Sequence, residues 1–227
     1  MSSAKSPKRY YPIFIDLEGK PCLVVGGGEV AERKVETLLE YGAVVTVESP
    51  EITPGIRAFA DAGKITYNSR DYAPAAMAGK VLAVAATNDE AVNERVYRDA
   101  SAQGIPVNVV DDPKRCTFIV PSIVRQGPLQ IAISTAGISP ALSKKIRRDL
   151  EQKYGEAYRT YLELIAEFRP VVAAAVSEYD SKKNLWESVL ESDVLSLVER
   201  GEIEAARRRL SGLIDAELEK LGAKAAR

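Results

Sequence analysis

The segment Pro21–Arg33, PCLVVGGGEVAER, runs from a short apolar stretch through three consecutive glycines into a segment of helical character. In α/β nucleotide-binding folds that succession marks a strand, a phosphate-cradling turn and a helix N-terminus. Cys22–Val25 reads as the strand, and Gly26, Gly28 and Ala31 fit the G-x-G-x-x-A form of the dinucleotide fingerprint. The first glycine permits the tight turn and the second lets backbone N–H groups approach a pyrophosphate. The alanine keeps helix and strand close. A helix over Val30–Tyr41 would begin with the positive end of its dipole facing that anion, so the cofactor contacts are assigned to Gly26–Val30, with Glu29 and Val30 at the helix start.

A glycine turn alone is weak evidence, and the test lies about twenty residues further on. There Glu48 ends a second apolar run that starts at Val44, where a carboxylate can accept hydrogen bonds from both hydroxyls of an adenosine ribose. Only Ser49 and Pro50 follow it, with no arginine, so a ribose phosphate would meet a negative charge and NAD is expected over NADP. Pro50 and Glu51 belong to the same strand-end segment and are counted with the cofactor residues. The competing reading is an ordinary strand-to-helix turn with Glu48 as a solvated strand end; strand, turn, helix and acid in register favour the nucleotide.

The first half of the chain alternates strand and helix patterns. Strands are expected at Tyr11–Leu17, Cys22–Val25, Val44–Glu48, Lys64–Asn68, Val81–Ala85 and Val107–Val110. Helices are expected near Thr53–Ala62, with Thr53 as cap and Pro54 as first residue, and from about Glu90 to Gln103. This spacing implies right-handed βαβ crossovers and a Rossmann-type, doubly wound parallel sheet. In such sheets ligands lie beyond the carboxyl ends of the strands, at the point where strand order reverses. Thr87 and Asn88 are therefore expected to contact the cofactor, and Asn108, Asp111 and Asp112 to stand near its nicotinamide end.

Charge and composition restrict the classes of function. With 31 basic and 32 acidic side chains the net charge is −1, which offers no general attraction to nucleic acid or a membrane surface. The N-terminus, MSSAKSPKRYYP, lacks an apolar signal core and no run approaches membrane-spanning length, so the cytoplasm is the expected compartment. Two cysteines, Cys22 and Cys116, are too few for a disulfide framework or a four-cysteine metal site. The chain contains no histidine, which excludes Ser-His-Asp catalysis and histidine bases or metal ligands. Proton transfer must rest on carboxylates, lysines, tyrosines or the substrate.

After Asp112 the pattern changes. Ser122–Arg125 and Leu129–Thr135, joined at Gln126-Gly127-Pro128, read as a hairpin, and Ser139 and Pro140 open a helix. From about Tyr158 the chain reads as helical: Tyr158–Phe168, Pro170–Val176, Lys183–Ser192, Asp193–Arg200 and Ile203–Leu221, with GAKAAR frayed at the end. The organisation expected is a Rossmann domain over 1–113, a β-hairpin and helix region for dimerisation and the substrate cleft over 114–150, and a helical domain over 151–227.

Four segments together, VVGGGEVAERKVETLLEYGAVVTV, LAVAATNDEAVNERV, NVVDDPKRCTFIVPSIV and PLQIAISTAGISPALSKKIR, resemble the NAD-dependent precorrin-2 dehydrogenases of siroheme biosynthesis, which occur alone or as the N-terminal module of siroheme synthases. The resemblance spans roughly Tyr11–Leu150 and includes no methyltransferase module. It implies a homodimer that oxidises precorrin-2 to sirohydrochlorin with hydride passing to NAD, and in some members iron insertion as well. It also implies that Asp111 serves the chemistry. Without it, the spacing favours reading Asp111 and Asp112 simply as caps of the turn ahead of Pro113. A substrate rich in carboxylates calls for cations and helix N-termini, which makes Asn108, Ser134, Thr135, Gly137 and Lys144 the substrate-binding candidates. The alternatives there are an ordinary helix cap and, for the KKIRR run, a solvated face. Two other functions remain open: a nucleotide-sensing module that responds to NAD(H) without catalysis, and a chelatase without redox activity.

Overall fold

A computed structural model describes residues 8–221 and divides the chain into two units, one ending at Val120 and the other beginning at Pro121. In the first unit, β1 (Pro21–Val25), β2 (Val44–Glu48), β3 (Ile65–Asn68), β4 (Leu82–Ala85) and β5 (Val107–Val109) form one parallel sheet in the order β3-β2-β1-β4-β5. The intervening helices are α1 (Glu29–Glu40), α2 (Pro54–Asp61) and α3 (Glu90–Ala102). Alternate strand residues bury against opposite layers. Cys22, Val24, Val45, Val47 and Val84 pack with Ala31, Val35 and Ile56, while Leu23, Val25, Ala83, Ala85 and Val107 pack with Met77, Val96 and Ala100. This two-sided burial explains the uninterrupted apolar runs. Strand order reverses between β1 and β4, and Asn68, Glu48, Val25, Ala85 and Val109 are paired in one row near the carboxyl edge.

The expected strand over Tyr11–Leu17 is absent. Tyr11, Ile13 and Phe14 are exposed, and β1 already has β2 and β4 on its two sides. Pro12 also lacks the N–H that a ladder needs. A 3-10 turn at Pro74–Met77, which buries Met77 fully, was not anticipated. The first unit extends past the expected limit at 113. Thr117 exchanges hydrogen bonds with Val107, through its backbone N–H and its hydroxyl, which ties residues beyond Asp112 back to β5.

The second unit opens with an antiparallel hairpin of β6 (Ser122–Gln126) and β7 (Leu129–Ile133), followed by α4 (Pro140–Lys153), α5 (Glu156–Ala175), α6 (Tyr179–Leu190), α7 (Val194–Glu199) and α8 (Ile203–Lys220). Its core gathers Tyr161, Leu164, Val172, Leu185, Val189, Val198, Leu210 and Ile214. The break expected before Pro170 does not occur, and α5 continues through it. Pro170 lies on the exposed face of the helix, while Leu164 and Val172 anchor it on either side. The final segment GAKAAR lies outside the described residues.

Candidate active site at the carboxyl edge of the sheet

The three glycines have three different reasons to be glycine. Gly26 has φ +120, and a Cβ there would stand 2.2 Å from the Ala86 carbonyl oxygen. At Gly27 a Cβ would be 1.9 Å from the Glu51 carbonyl oxygen, because the loop after β2 folds against the turn and the Thr53 N–H donates to the Gly27 carbonyl at 2.9 Å. At Gly28 a Cβ would meet nothing within 4 Å. Gly28 is the N-cap of α1 and supplies no side-chain cap, unlike Thr53 at α2 or Asp89 at α3. The first N–H groups of α1 are therefore left for an anion.

They face a cavity of about 760 Å3 whose lining includes Gly26, Gly28, Glu29, Val30, Glu48, Pro50, Glu51, Thr87 and Asn88. All nine residues assigned to the cofactor from the sequence thus surround one space. Its donors and open backbone suit a dinucleotide, since the helix start can take the diphosphate and the loops after β2 and β4 can flank its two halves. Thr87 is fixed by a residue that the sequence did not single out. Buried Asn93 accepts from the Thr87 hydroxyl at 2.9 Å and donates to its carbonyl at 3.0 Å.

Glu48 stands differently from its expected role. Its side chain is 0% exposed, and Oε1 accepts from Arg70 Nη2 at 2.6 Å, Arg70 Nε at 3.0 Å and Asn68 Nδ2 at 3.3 Å. Oε2 accepts from the Ala73 N–H at 3.2 Å. The arginine absent from the residues after Glu48 arrives from the loop after β3.

A second cavity of about 400 Å3 shares Val30, Ala86, Thr87 and Asn88 with the first and is completed by Asp111, Asp112 and Arg115 among others. The two aspartates divide their work. Asp112 caps the 3-10 turn Pro113–Arg115, accepting from the N–H groups of Lys114 at 3.0 Å and Arg115 at 3.3 Å, and pairs with the Arg115 guanidinium, which also pairs with Glu94. Burial works to raise the Asp112 carboxyl, but the bonds from Arg115 and the backbone outweigh it and leave its pKa lowered. Asp111 is exposed, has left-handed backbone at φ 60, and has no hydrogen bond or ion pair among the described residues. Its turn is held from below, since Cys116 Sγ lies 3.1 Å from the Val109 carbonyl oxygen and 3.2 Å from that of Asp112, while Lys8 Nζ donates to the carbonyls of Pro113, Lys114 and Cys116. Burial pushes the Cys116 thiol up, away from the thiolate form.

Asn108 does not line either of these cavities. Its amide donates to the Phe118 carbonyl at 3.1 Å and toward the Cys116 sulfur at 3.4 Å. In the second unit, Ser134 Oγ accepts from the Ala136 N–H, and Thr135 Oγ1 accepts from the Ser139 N–H and lies 3.2 Å from the Ser143 hydroxyl. These bonds shape the turn before α4, where Gly137 has φ 81. Lys144 is exposed on α4.

Three family models follow one another along the chain: a putative NAD(P)-binding domain over residues 13–122, the central region of sirohaem biosynthesis proteins over 126–153, and the sirohaem synthase dimerisation region over 157–214. The siroheme synthase of Methylobacillus flagellatus is 42% identical over 89% of this chain, and that of Chromobacterium violaceum 40% identical over 91%. Each alignment covers 44% of the relative, so the chain spans less than half the length of these proteins. The solved structure of SirC, a precorrin-2 dehydrogenase, superposes with a TM-score of 0.71 at 28% identity, covering 88% of this chain and all of that one. With its glycine turn, its carboxyl-edge cavities and its hairpin and helices in the same order as these regions, the chain belongs to the family of precorrin-2 dehydrogenases and siroheme synthase N-terminal modules.

Proposed function

We propose that this chain oxidises precorrin-2 to sirohydrochlorin with NAD as the hydride acceptor. The observation that carries the reading is Asp111, an exposed carboxylate with no hydrogen bond or ion pair among the described residues, held in left-handed backbone in a cavity that adjoins the one at the glycine turn. The bound nicotinamide would supply the two-electron acceptor. The chain's own residues then have two tasks. The α1 N-terminus and the loops after β1, β2 and β4 hold and orient the dinucleotide, and Asp111 takes up a proton as the substrate loses hydride and positive charge develops. Balance requires one hydride transferred and one proton released for each double bond formed. SirC and the siroheme synthases, similar over most of this chain, support the choice of substrate.

Purified protein given precorrin-2 and NAD is expected to yield sirohydrochlorin and NADH in equal amounts. Asparagine tolerates left-handed backbone, so Asp111→Asn keeps the turn while removing the base. A fall in kcat of roughly a hundredfold or more is expected, with little change in the KM for NAD. Absence of product from the wild-type protein, alongside tight NADH binding, would instead support a nucleotide-sensing module. We also propose that the dimerisation region over 157–214 pairs two copies of the chain, so sedimentation equilibrium should return twice the 24.7 kDa chain mass.

A further inference from the structure

We propose that Asp71, and not Glu48, accepts the hydrogen bonds of the adenosine ribose, and that Glu48 is a positioning residue for the loop that carries it. This rests on the dinucleotide site proposed above. Glu48 is fully buried, and both its carboxylate oxygens already accept from protein donors, Arg70 among them, so it presents no exposed carboxylate to a ribose. Those same bonds fasten the segment after β3. Arg70 and Ala73 are tied to Glu48, and Tyr72, buried between them, donates its hydroxyl to Asp99 at 2.8 Å. Asp71 is the remaining member of this four-residue bracket. It is exposed, lines the same cavity as the glycine turn, and has no hydrogen bond or ion pair among the described residues.

Position in the sheet favours Asp71 over the other exposed carboxylates on that cavity, Glu29, Glu51 and Asp89, of which Glu29 stands in the first turn of α1 and Asp89 is occupied in capping α3. Glu51 packs its carbonyl against Gly27 at the diphosphate turn. Asp71 follows β3, two strands out from β1, and a dinucleotide whose diphosphate sits at the α1 N-terminus extends its adenosine in that outward direction. Asn68 is paired level with Glu48, so Asp71 stands three residues beyond the row in which a ribose acid is ordinarily sought. A carboxylate held there accepts from the 2′- and 3′-hydroxyls and repels a 2′-phosphate, while the charge of Glu48 is offset by Arg70.

The test is direct binding of NADH and NADPH, followed by nucleotide fluorescence, to the full chain and to Asp71→Asn and Glu48→Gln. Asp71→Asn is expected to bind NADH about tenfold more weakly and NADPH no more weakly, so that the preference for NADH narrows by about tenfold. Its melting temperature should stay put, because no intramolecular bond is lost. Glu48→Gln should melt earlier and keep the preference. An unchanged preference in Asp71→Asn, or a preference that collapses in Glu48→Gln alone, overturns the proposal. If Glu48→Gln fails to fold, the Asp71→Asn ratio still decides. Failure of the underlying site is distinct, since the wild-type chain would then bind neither nucleotide.

Discussion

Asp111 and Ala136 are the non-glycine residues with left-handed backbone among those described, at φ 60 and φ 51. Aspartate accepts that conformation readily, and at Asp111 it aims a carboxylate into a cavity. The alanine side chain can form no local hydrogen bond to offset the clash of its Cβ, which costs roughly 1–2 kcal/mol. Ala136→Gly should therefore stabilise the protein by about 0.5–1 kcal/mol, the relieved strain less the ~0.4–1 kcal/mol entropy of a freer unfolded chain. The midpoint of urea unfolding measures it, and an unchanged or lowered midpoint would show that the turn carries no such strain. At this scale the sequence exposed what is local and concealed what is not. The glycines, Glu29, Val30, Thr87 and Asn88 were legible because fingerprint and strand ends fix them in the chain. The true surroundings of Glu48 were not, because its partners Arg70 and Ala73 stand 22 and 25 residues away and reach it only through the strand pairing of β2 and β3. Spacing alone did not separate Asp112 from Asp111; the resemblance pointed to Asp111, and the structure shows that the two differ in backbone conformation and in hydrogen bonding.

The helices of the first unit divide by how they begin. The cap of α2 accepts from Ile56 N–H through Thr53, and that of α3 from Ala91 and Val92 N–H through Asp89, whereas α1 begins at Gly28 with extended backbone and no side-chain acceptor. Stability and cofactor binding are therefore opposed at one residue. Gly28→Asp places a capping carboxylate in space where a Cβ meets nothing, which should leave stability unchanged or raise it by up to about 1 kcal/mol. The same carboxylate occupies the N–H groups meant for the diphosphate, and NADH binding should fall at least a hundredfold. Gly26→Ala must instead drive a Cβ into the Ala86 carbonyl and should lower the melting temperature. A Gly28→Asp variant that still bound NADH normally would remove α1 from the cofactor site. Most elements were legible because buried parallel strands are short apolar runs between helix caps. Tyr11–Leu17 satisfied that pattern and still formed no strand, since composition cannot say whether a neighbouring strand has a free side. Pro170 was misleading for the opposite reason, because packing on both sides of it outweighed one missing hydrogen bond.

The two units have separate cores, and their buried acids are unequally shared. Burial pushes the Cys22 thiol up to about 11 from the ordinary 9.0, and also raises the Cys116 thiol. Tyr72 is raised too, first by burial and then by its hydrogen bond to Asp99. All three lie in the first unit, while in the second Tyr161 is raised by burial. A group that holds its proton more tightly when folded contributes stability that is complete below its unfolded pKa and is lost as pH rises toward the folded value. Between pH 9.0 and about 11 the first unit should therefore lose more stability than the second. The molecule reports on this by itself, because its single tryptophan, Trp186, packs against the core of the helical unit. In that alkaline range Trp186 fluorescence should follow a melting transition above the one at which NADH binding is lost, with the gap widening as pH rises. Coincident transitions that shift together would mean that the two cores unfold as one, and that the strands carrying the cofactor turn share their stability with the helices that follow.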